Sequence, residues 1–270
     1  MSRYFVIISA IIPLLLPSLS CTKVVDIDLN SAAPKIIIEG TVSDQLHSCS
    51  VNISRSVNYD EPNVFPAVTG SLVAISDDSG NTAILSETKT GTYTAPFFQG
   101  IAGKTYTISI TAEGSTYKAS SKMPSPVTIN SIIQDSSTRG SFGRPGITKF
   151  IKIQFKDPEG EKNYYRIIQK INGIISTDIQ IENDLLRDGN LITQGVEHND
   201  PGLKTGDSVV VYLQTIDKEV FTYLSQLRET IGQGTRGPTY APGNSPTNFD
   251  NGAIGYFSAF AVQSKSIVIK

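Results

Sequence analysis

The sequence predicts a mainly β protein, with an N-terminal immunoglobulin-like β-sandwich followed by a second antiparallel β domain that carries one amphipathic helix. Three observations predict this class. Isoleucine, valine and threonine make up 74 of the 270 residues, and such β-branched residues favour strands over helices. Short alternating runs recur along the chain with turn-forming residues between them. A single stretch has apolar residues at helical spacing.

The clearest strand signal in the N-terminal half lies at 105–111. Tyr106, Ile108 and Ile110 alternate there with threonine and serine, which is typical of an antiparallel strand with one buried face. Glu113-Gly114 then predicts a hairpin to a second strand at 115–121. With similar runs before it, this pattern predicts a sandwich over 35–125. The chain has no tryptophan, so the likeness to antibody domains is one of architecture only.

A proline-rich break separates the two predicted domains. Met123-Pro124-Ser125-Pro126 interrupts the strand pattern, because proline removes an amide donor and restricts the residue before it. We therefore place the second domain at 126–270. Within it, Asn172-Gly173 lies between strand runs at 164–171 and 174–181, and Asn-Gly is the strongest short-range signal for a hairpin.

One helix is predicted near 216–231, followed by a loop and further strands. Its apolar positions are Ile216, Val220, Leu224, Leu227 and Ile231. Asp217 is expected to cap the start of this helix and Gly232 to end it. A long loop rich in glycine and proline then covers 232–246, and 255–269 reads as a final pair of strands.

The N-terminus has the pattern of a signal peptide over 1–20. A short positive start precedes an apolar run at 4–16, which is too short to span a bilayer as a helix. Small residues, among them Ser20, stand directly before Cys21. This resembles a bacterial lipobox, with Ser18 where leucine is usual. We expect cleavage between Ser20 and Cys21, lipid attachment at Cys21, and a tether at 21–34. The alternative is an ordinary secreted protein.

The charge and the cysteine content of the chain limit the classes of function that we expect for it. The chain has 23 basic and 25 acidic residues, with no block of like charge. This excludes nucleic acid as an expected partner, because nucleic-acid binding requires a basic footprint. If Cys21 carries lipid, Cys49 has no cysteine left for a disulfide within the chain. Cys49 is then expected to be a structural residue rather than a nucleophile, although His47 stands two positions away.

The remaining clusters of polar residues are expected to form ordinary turns rather than catalytic or metal sites. His198 lies among acidic and polar residues at 197–200, but one histidine is a weak basis for a metal site. The run 184–189 resembles a calcium loop only in part, because Leu185 and Leu186 interrupt the acidic residues. Asp77, Asp78 and Asn81 are also expected to form a turn. We predict no catalytic residue, no metal and no cofactor, although carboxylates converging in space remain an alternative.

Aromatic side chains are the candidates for ligand contact. Most are expected to pack in the core, but Tyr240 lies in the glycine- and proline-rich loop, and long loops are often functional. Tyr240 is therefore the candidate binding residue. The aromatic residues considered with it are Phe65, Tyr93, Tyr164 and Tyr256.

Six segments of the mature chain together resemble a family of Bacteroidota lipoproteins known only as a domain of unknown function. They are Val25-Asp26-Ile27-Asp28-Leu29, 33–40, Ser56-Val57-Asn58-Tyr59, 75–80, 157–165 and 255–259. The resemblance implies location in the cell envelope and frequent encoding beside TonB-dependent outer-membrane receptors. It supplies no catalytic residues.

These observations lead to one expected function and two alternatives. We expect a non-enzymatic outer-membrane lipoprotein, attached to the membrane through its lipid anchor and accessory to a TonB-dependent nutrient transporter. Which face of the membrane it occupies stays open. The first alternative is a surface adhesin or a module that binds glycan or peptide. The second is an uncharacterised envelope hydrolase.

Overall fold

Fifteen strands and one helix form the regular structure of the described residues, which are 33–58, 61–137, 148–196, 202–236 and 245–270 of a computed structural model. Of 233–236 only the backbone is described. The elements are β1 (Ile36–Ser43), β2 (Cys49–Arg55), β3 (Leu72–Asp77), β4 (Thr82–Lys89), β5 (Thr92–Ala95), β6 (Thr105–Ala112), β7 (Ser115–Lys122), β8 (Ile129–Ser137), β9 (Thr148–Lys156), β10 (Tyr164–Ile171), β11 (Ile174–Ile175), β12 (Gln180–Asn183), β13 (Leu191–Gly195), β14 (Ser208–Ile216), α1 (Lys218–Arg236) and β15 (Ile254–Val268). The predicted mainly β class is confirmed.

The strands form one large sheet and one small sheet. The large sheet has 12 strands in the order β11-β10-β14-β15-β1-β2-β5-β4-β3-β6-β7, with β12 paired to β10. The small sheet has the order β13-β9-β8. All strand pairs are antiparallel except β1 with β15, which is parallel. Sequence alternation predicted most of these strands, since one face of most of them is buried.

The N-terminal part of the large sheet forms a two-layer sandwich. Strand β4 pairs with β5 on one side and with β3 on the other, so it joins the two layers. Buried side chains of β1 and β2, such as Ile38 and Val51, meet those of β3 and β6, such as Ile75 and Ile108, in one hydrophobic cluster. This matches the predicted sandwich, in which inward residues of two sheets interdigitate.

Strand β15 is a single run of 15 residues, so the expected pair of strands at 255–269 is wrong. Its first half pairs with β1 and its second half pairs with β14. Gly255 allows the close approach to β1. It has a φ of +106°, and a Cβ atom there would lie 2.0 Å from the carbonyl oxygen of Ile38. Only glycine fits such a position.

The C-terminal part of the large sheet is covered on both faces. On one face it packs against the small sheet, through a cluster that includes Ile151, Phe155, Tyr165 and Val211. On the other face, helix α1 packs through Val220 and Leu224 onto residues of β12 and β14. The helix therefore lies on the outer face of a sheet whose inner face is already buried.

Helix α1 begins as predicted and ends later than predicted. Oδ1 of Asp217 accepts a hydrogen bond from the backbone N–H of Val220 at 2.8 Å, so the predicted cap is confirmed. The predicted end at Gly232 is wrong, because the helix continues to Arg236. A glycine inside a helix costs only about 1 kcal/mol relative to alanine, which neighbouring turns can offset.

Both predicted hairpin turns are confirmed by their backbone conformation. Asn172 and Gly173 have φ values of +49° and +88°, and Glu113 and Gly114 have +52° and +79°. Positive φ at both central residues belongs to the type I′ turn, whose twist matches that of antiparallel strands. The strand after Asn172-Gly173 is shorter than predicted, with only two residues in β11.

Residues Pro34–Lys270 form one compact unit, and of the chain that precedes it only Ala33 is described. The division into domains at 125/126 stays a prediction. This boundary falls between β7 and β8. The sandwich core also contains Phe249 and Phe257, which lie on the C-terminal side of the boundary. Among the described residues, no helix combines the length and apolar character needed to cross a membrane.

Candidate functional site

A groove beside helix α1 combines aromatic and hydroxyl side chains. Its volume is about 290 Å³, near the lower end of the range for ligand pockets. We call it the helix groove. Its lining residues are Ile37, Ser56, Phe65, Tyr223, Leu227, Thr230, Ser245, Ile254 and Gly255.

The elements around the helix groove explain why these side chains face it. Ile37 of β1 and Ile254 of β15 are register partners on the outer face of the large sheet. Tyr223 and Leu227 are four positions apart on α1, which puts them on one face of the helix. Phe65 lies in the β2–β3 connection and is 48% exposed. The helix therefore forms one wall, the sheet the floor, and this loop contributes an aromatic ring.

A row of polar side chains continues from the helix groove across the outer face of the sheet. Tyr256 of β15 is the register partner of Glu39 of β1, Glu39 pairs with Asn52 of β2, and Asn52 pairs with Thr92 of β5. Glu39 lies two residues after Ile37, so both project from the same face of β1. We call these four residues the polar row.

The aromatic ring of Tyr223 joins the helix groove to the polar row. The ring centroids of Tyr223 and Tyr256 are 4.9 Å apart. Burial, and then the nearby carboxylate of Glu39, raises the pKa of Tyr223 to about 12. The Tyr223 hydroxyl is consequently neutral at physiological pH. It can donate a hydrogen bond to a ligand as well as accept one.

Of the aromatic residues considered from the sequence, two lie at this site. Phe65 lines the helix groove and Tyr256 belongs to the polar row. Tyr164 instead packs against Phe221, with ring centroids 4.9 Å apart. Tyr93 is buried in the sandwich and its hydroxyl bonds to the Val68 carbonyl at 3.1 Å. Tyr164 and Tyr93 therefore have packing roles.

Several residues considered for a functional role from the sequence lie outside the described residues. These are the cleavage and lipid-attachment residues Ser20 and Cys21, the loop histidine His198, and the candidate binding residue Tyr240. The described chain resumes at Ser245, which lines the helix groove.

Cys49 has the surroundings expected of a structural residue. It is buried in the sandwich core, and burial raises the pKa of its thiol to about 12. A thiol with such a pKa is protonated at physiological pH and is a poor nucleophile. His47 does not lie in the strand with Cys49, because it occupies a turn with a φ of +62° and its ring packs on Phe97.

Three carboxylates meet where two turns of the C-terminal part approach each other. Oxygen atoms of Asp157, Asp184 and Asp188 all lie within 4.8 Å of one another. They are the described residues that could hold a cation such as Ca²⁺, which prefers oxygen ligands. The sequence reading of 184–189 as a plain turn missed their convergence with Asp157, because the β9–β10 connection supplies that residue.

Hydrogen bonds already stabilise these three carboxylates. Asp157 accepts from the Tyr165 hydroxyl and from the Gly189 N–H. Asp184 accepts from the Asn163 N–H at 2.9 Å, and Asp188 from the Gly160 N–H at 2.9 Å. Such bonds offset the cost of burying the carboxyl groups of Asp157 and Asp184, whereas Asp188 is exposed. The cluster links the two turns whether or not an ion is present.

The Asp77 turn is held together by the chain itself. Oδ2 of Asp77 accepts hydrogen bonds from Lys104 at 2.6 Å and from the Asn81 side chain at 2.8 Å, while Oδ1 accepts from two backbone N–H groups of the turn. These bonds, that from Lys104 first, hold the pKa of Asp77 below its usual range. The arrangement agrees with the expected turn.

Sequence reasoning missed Tyr223, Glu39 and Asn52. The helical spacing assigned Leu224 and Leu227 to the buried stripe but gave no role to the tyrosine beside them. Glu39 and Asn52 looked like ordinary outward residues of two strands. Only the register of β1, β2 and β15 shows that they adjoin one another and Tyr256.

Comparison with known proteins shows a family and a distant likeness to solved structures. A family model described as a domain of unknown function, DUF4249, matches residues 22–266. No curated protein matches the chain at a significant level. A two-domain fibronectin type III segment of chicken tenascin is 15% identical, with 67% of this chain and 90% of that chain covered at a TM-score of 0.21. Because the family match spans nearly the whole sequence, this chain belongs to the DUF4249 family, a domain of unknown function.

Proposed function

We propose that this protein is a non-enzymatic outer-membrane lipoprotein that serves as an accessory to a TonB-dependent nutrient transporter. The observation that carries the proposal is the position of Cys21. It directly follows a segment, 1–20, that has a signal-peptide pattern, and the compact β unit starts only at Pro34. The link to a transporter rests on the family resemblance described above.

A lipid on Cys21 would hold the protein at the membrane, and the tether after Cys21 would still let the β unit contact neighbouring membrane proteins. Each buried CH₂ group of an acyl chain contributes about 0.8 kcal/mol, and two or more chains give stable anchoring. The 12 residues at 22–33 extend over at most about 40 Å. A β unit on such a tether can contact a transporter in the same membrane.

The helix groove supports a role in holding a ligand. Concave sites with a few well-placed polar groups are where proteins bind small ligands, and we include capture of a nutrient in the proposed accessory role. The helix groove and the polar row offer aromatic, amide, carboxylate and hydroxyl groups. The same groove also supports the alternative of a free-standing module that binds its ligand alone.

A pull-down from the native membrane separates these two functions. The full chain carries a C-terminal affinity tag and is expressed in its host, crosslinked in intact cells and solubilised in detergent. The proposal predicts recovery of a β-barrel receptor identified by mass spectrometry. The Cys21→Ser variant is the matched control and should lose this recovery. A parent protein that recovers no receptor would contradict the accessory role and leave the free-standing module as the better account.

A further inference from the structure

We propose that the helix groove and the polar row together bind a short neutral saccharide. This inference rests on the proposed function in one respect only, since it names the class of nutrient that the accessory protein would hold. The binding itself requires no transporter.

The dimensions of the site fit an extended, narrow ligand. The polar row crosses four adjacent strands, from Tyr256 on β15 to Thr92 on β5. Neighbouring strands are about 4.8 Å apart, so the row spans roughly 14 Å. The helix groove adjoins the row at its Tyr256 end, where Tyr223 contacts both. A short oligosaccharide lying across the strands would contact the groove and the row at once.

The polar groups of the site have hydrogen-bonding capacity left over. Within the described part of the chain, neither the Tyr223 hydroxyl nor the Glu39 carboxylate has a hydrogen-bond partner, and Glu39 is exposed. Oδ1 of Asn52 accepts a bond from the Thr92 hydroxyl at 2.9 Å, which leaves the amide group as a donor. A carboxylate beside an amide presents acceptors and donors side by side. Adjacent sugar hydroxyls, which both donate and accept, complement this arrangement.

The helix groove itself keeps polar groups at its rim. Ser56 Oγ accepts a hydrogen bond from the Lys35 N–H at 2.8 Å and can still donate one. Thr230 Oγ1 donates to the Gln226 carbonyl at 3.0 Å and can still accept one. Between them lie the rings and branched chains of Phe65, Tyr223 and Leu227. This combination suits a sugar ring, whose C–H faces are apolar and whose edges carry hydroxyls.

Charge in the site favours a neutral ligand. None of the residues that line the helix groove is charged, and the polar row contributes the single carboxylate of Glu39. A cation lies beside each end of the row: Nη1 of Arg166 donates to the Tyr256 hydroxyl at 3.4 Å, and Lys89 of β4 is the register partner of Thr92. Glu39 lies between these two cations and repels an anionic group at the middle of the row, so a ligand that crosses the whole row is best uncharged. Neutral sugars avoid this repulsion.

Isothermal titration calorimetry with defined oligosaccharides tests the proposal. The full mature chain is held in a detergent without a sugar headgroup and titrated with neutral malto-, xylo- and manno-oligosaccharides and with acidic oligogalacturonate. A second arm uses vesicles that display the same neutral sugars on lipid, which separates a free nutrient from a membrane glycolipid. We expect binding to at least one neutral sugar and none to the acidic one.

Three variants and one control connect the binding to this site. Phe65→Ala, Glu39→Gln and Tyr223→Phe should each weaken binding by about tenfold, the effect of one good contact. The control is Phe97→Ala, because Phe97 is 85% exposed but lies at the opposite end of β1, beside His47. It should leave binding unchanged. Absence of binding to every neutral sugar, or equal binding by all four variants, would overturn the proposal. Recovery of a transporter in the pull-down does not depend on either result.

Discussion

The hydroxyl of Ser121 donates a hydrogen bond to Oδ2 of Asp217 and accepts one from the Ala259 N–H at 2.8 Å. This contact joins the last strand of the sandwich, the start of helix α1 and strand β15. Asp217 also caps the helix through Val220. Burial raises the pKa of Asp217 above its ordinary value despite these bonds. Asp217 thus stabilises the protein as a helix cap and destabilises it as a buried carboxylate.

Replacement of Asp217 separates the cap from the charge. Because the folded-state pKa is above the unfolded value, the folded protein binds more protons, and its free energy of unfolding falls as pH rises through that interval. Asp217→Asn keeps a good cap without a charge, so it should be at least as stable as the parent at neutral pH. Asp217→Ala should lose about 1 kcal/mol through the missing cap. Urea unfolding from pH 4 to pH 8 measures both effects, and an Asn variant clearly less stable at neutral pH would contradict this account.

The buried Tyr165–Asp157 hydrogen bond is expected to stabilise the turn cluster. Burial, and then Asp157, raises the pKa of Tyr165 above its ordinary value, so the phenol stays neutral and donates its proton to the carboxylate. Tyr165→Phe leaves a buried carboxylate with one bond fewer and should cost about 1 to 3 kcal/mol. Tyr164→Phe is the control, because the Tyr164 ring packs on Phe221 and that packing is retained. Equal stabilities of the two variants in urea unfolding would argue against the predicted role.

The ion pair of Lys104 with Asp77 should shift the acid denaturation of the sandwich. Lys104 is the main reason that the pKa of Asp77 in the folded protein is below that in the unfolded chain. The stabilisation that this ion pair gives to the fold is therefore fully present above the unfolded-state pKa, and it is lost as pH falls through the folded-state pKa. Lys104→Met should therefore raise the pH at which the protein unfolds in acid. Lys118→Met is the control, since Lys118 is an exposed lysine with no ion pair among the described residues. Circular dichroism during acid titration measures the midpoint. Coinciding midpoints for the parent and Lys104→Met would refute the prediction.

Gly255 should be essential for joining β15 to β1. Alanine there would place a Cβ 2.0 Å from the Ile38 carbonyl oxygen in a backbone with a φ of +106°. Gly255→Ala is expected to cost more than about 4 kcal/mol or to prevent folding. Gly173→Ala is the matched control, because Gly173 also has a positive φ but no atom lies within 4 Å of its Cβ position. The control should cost only about 1 to 2 kcal/mol. Similar losses of melting temperature in the two variants would count against the steric explanation.

Local sequence patterns predicted the elements of this fold better than their connections. The alternation at Tyr106, Ile108 and Ile110 and the Asn172-Gly173 turn depend on residues close in sequence, so the chain itself encodes them. The parallel pairing of β1 with β15 joins Ile37 to Ile254. No local signal encodes a pairing across such a separation, and polar residues after Ala261 made β15 look like two strands.

The candidate site was predictable only in its aromatic part. Phe65 and Tyr256 could be named because exposed aromatic residues suit ligand contact. The polar row depends on the register of Glu39 with Asn52, which follows from sheet pairing rather than from any motif. A change of register by one residue would send these side chains into the core. The site therefore becomes visible only once the strands are aligned.

Lipid attachment at Cys21 is the claim on which the proposed function depends most directly, and metabolic labelling measures it. The full chain is expressed in its host with an alkyne-tagged palmitate, and mass spectrometry identifies the mature N-terminus. We predict label on a chain that begins at a lipid-modified Cys21, and an unlabelled Cys21→Ser variant that leaves the membrane fraction. A parent protein without label, whose Cys21→Ser variant matures and distributes in the same way, would contradict the proposal.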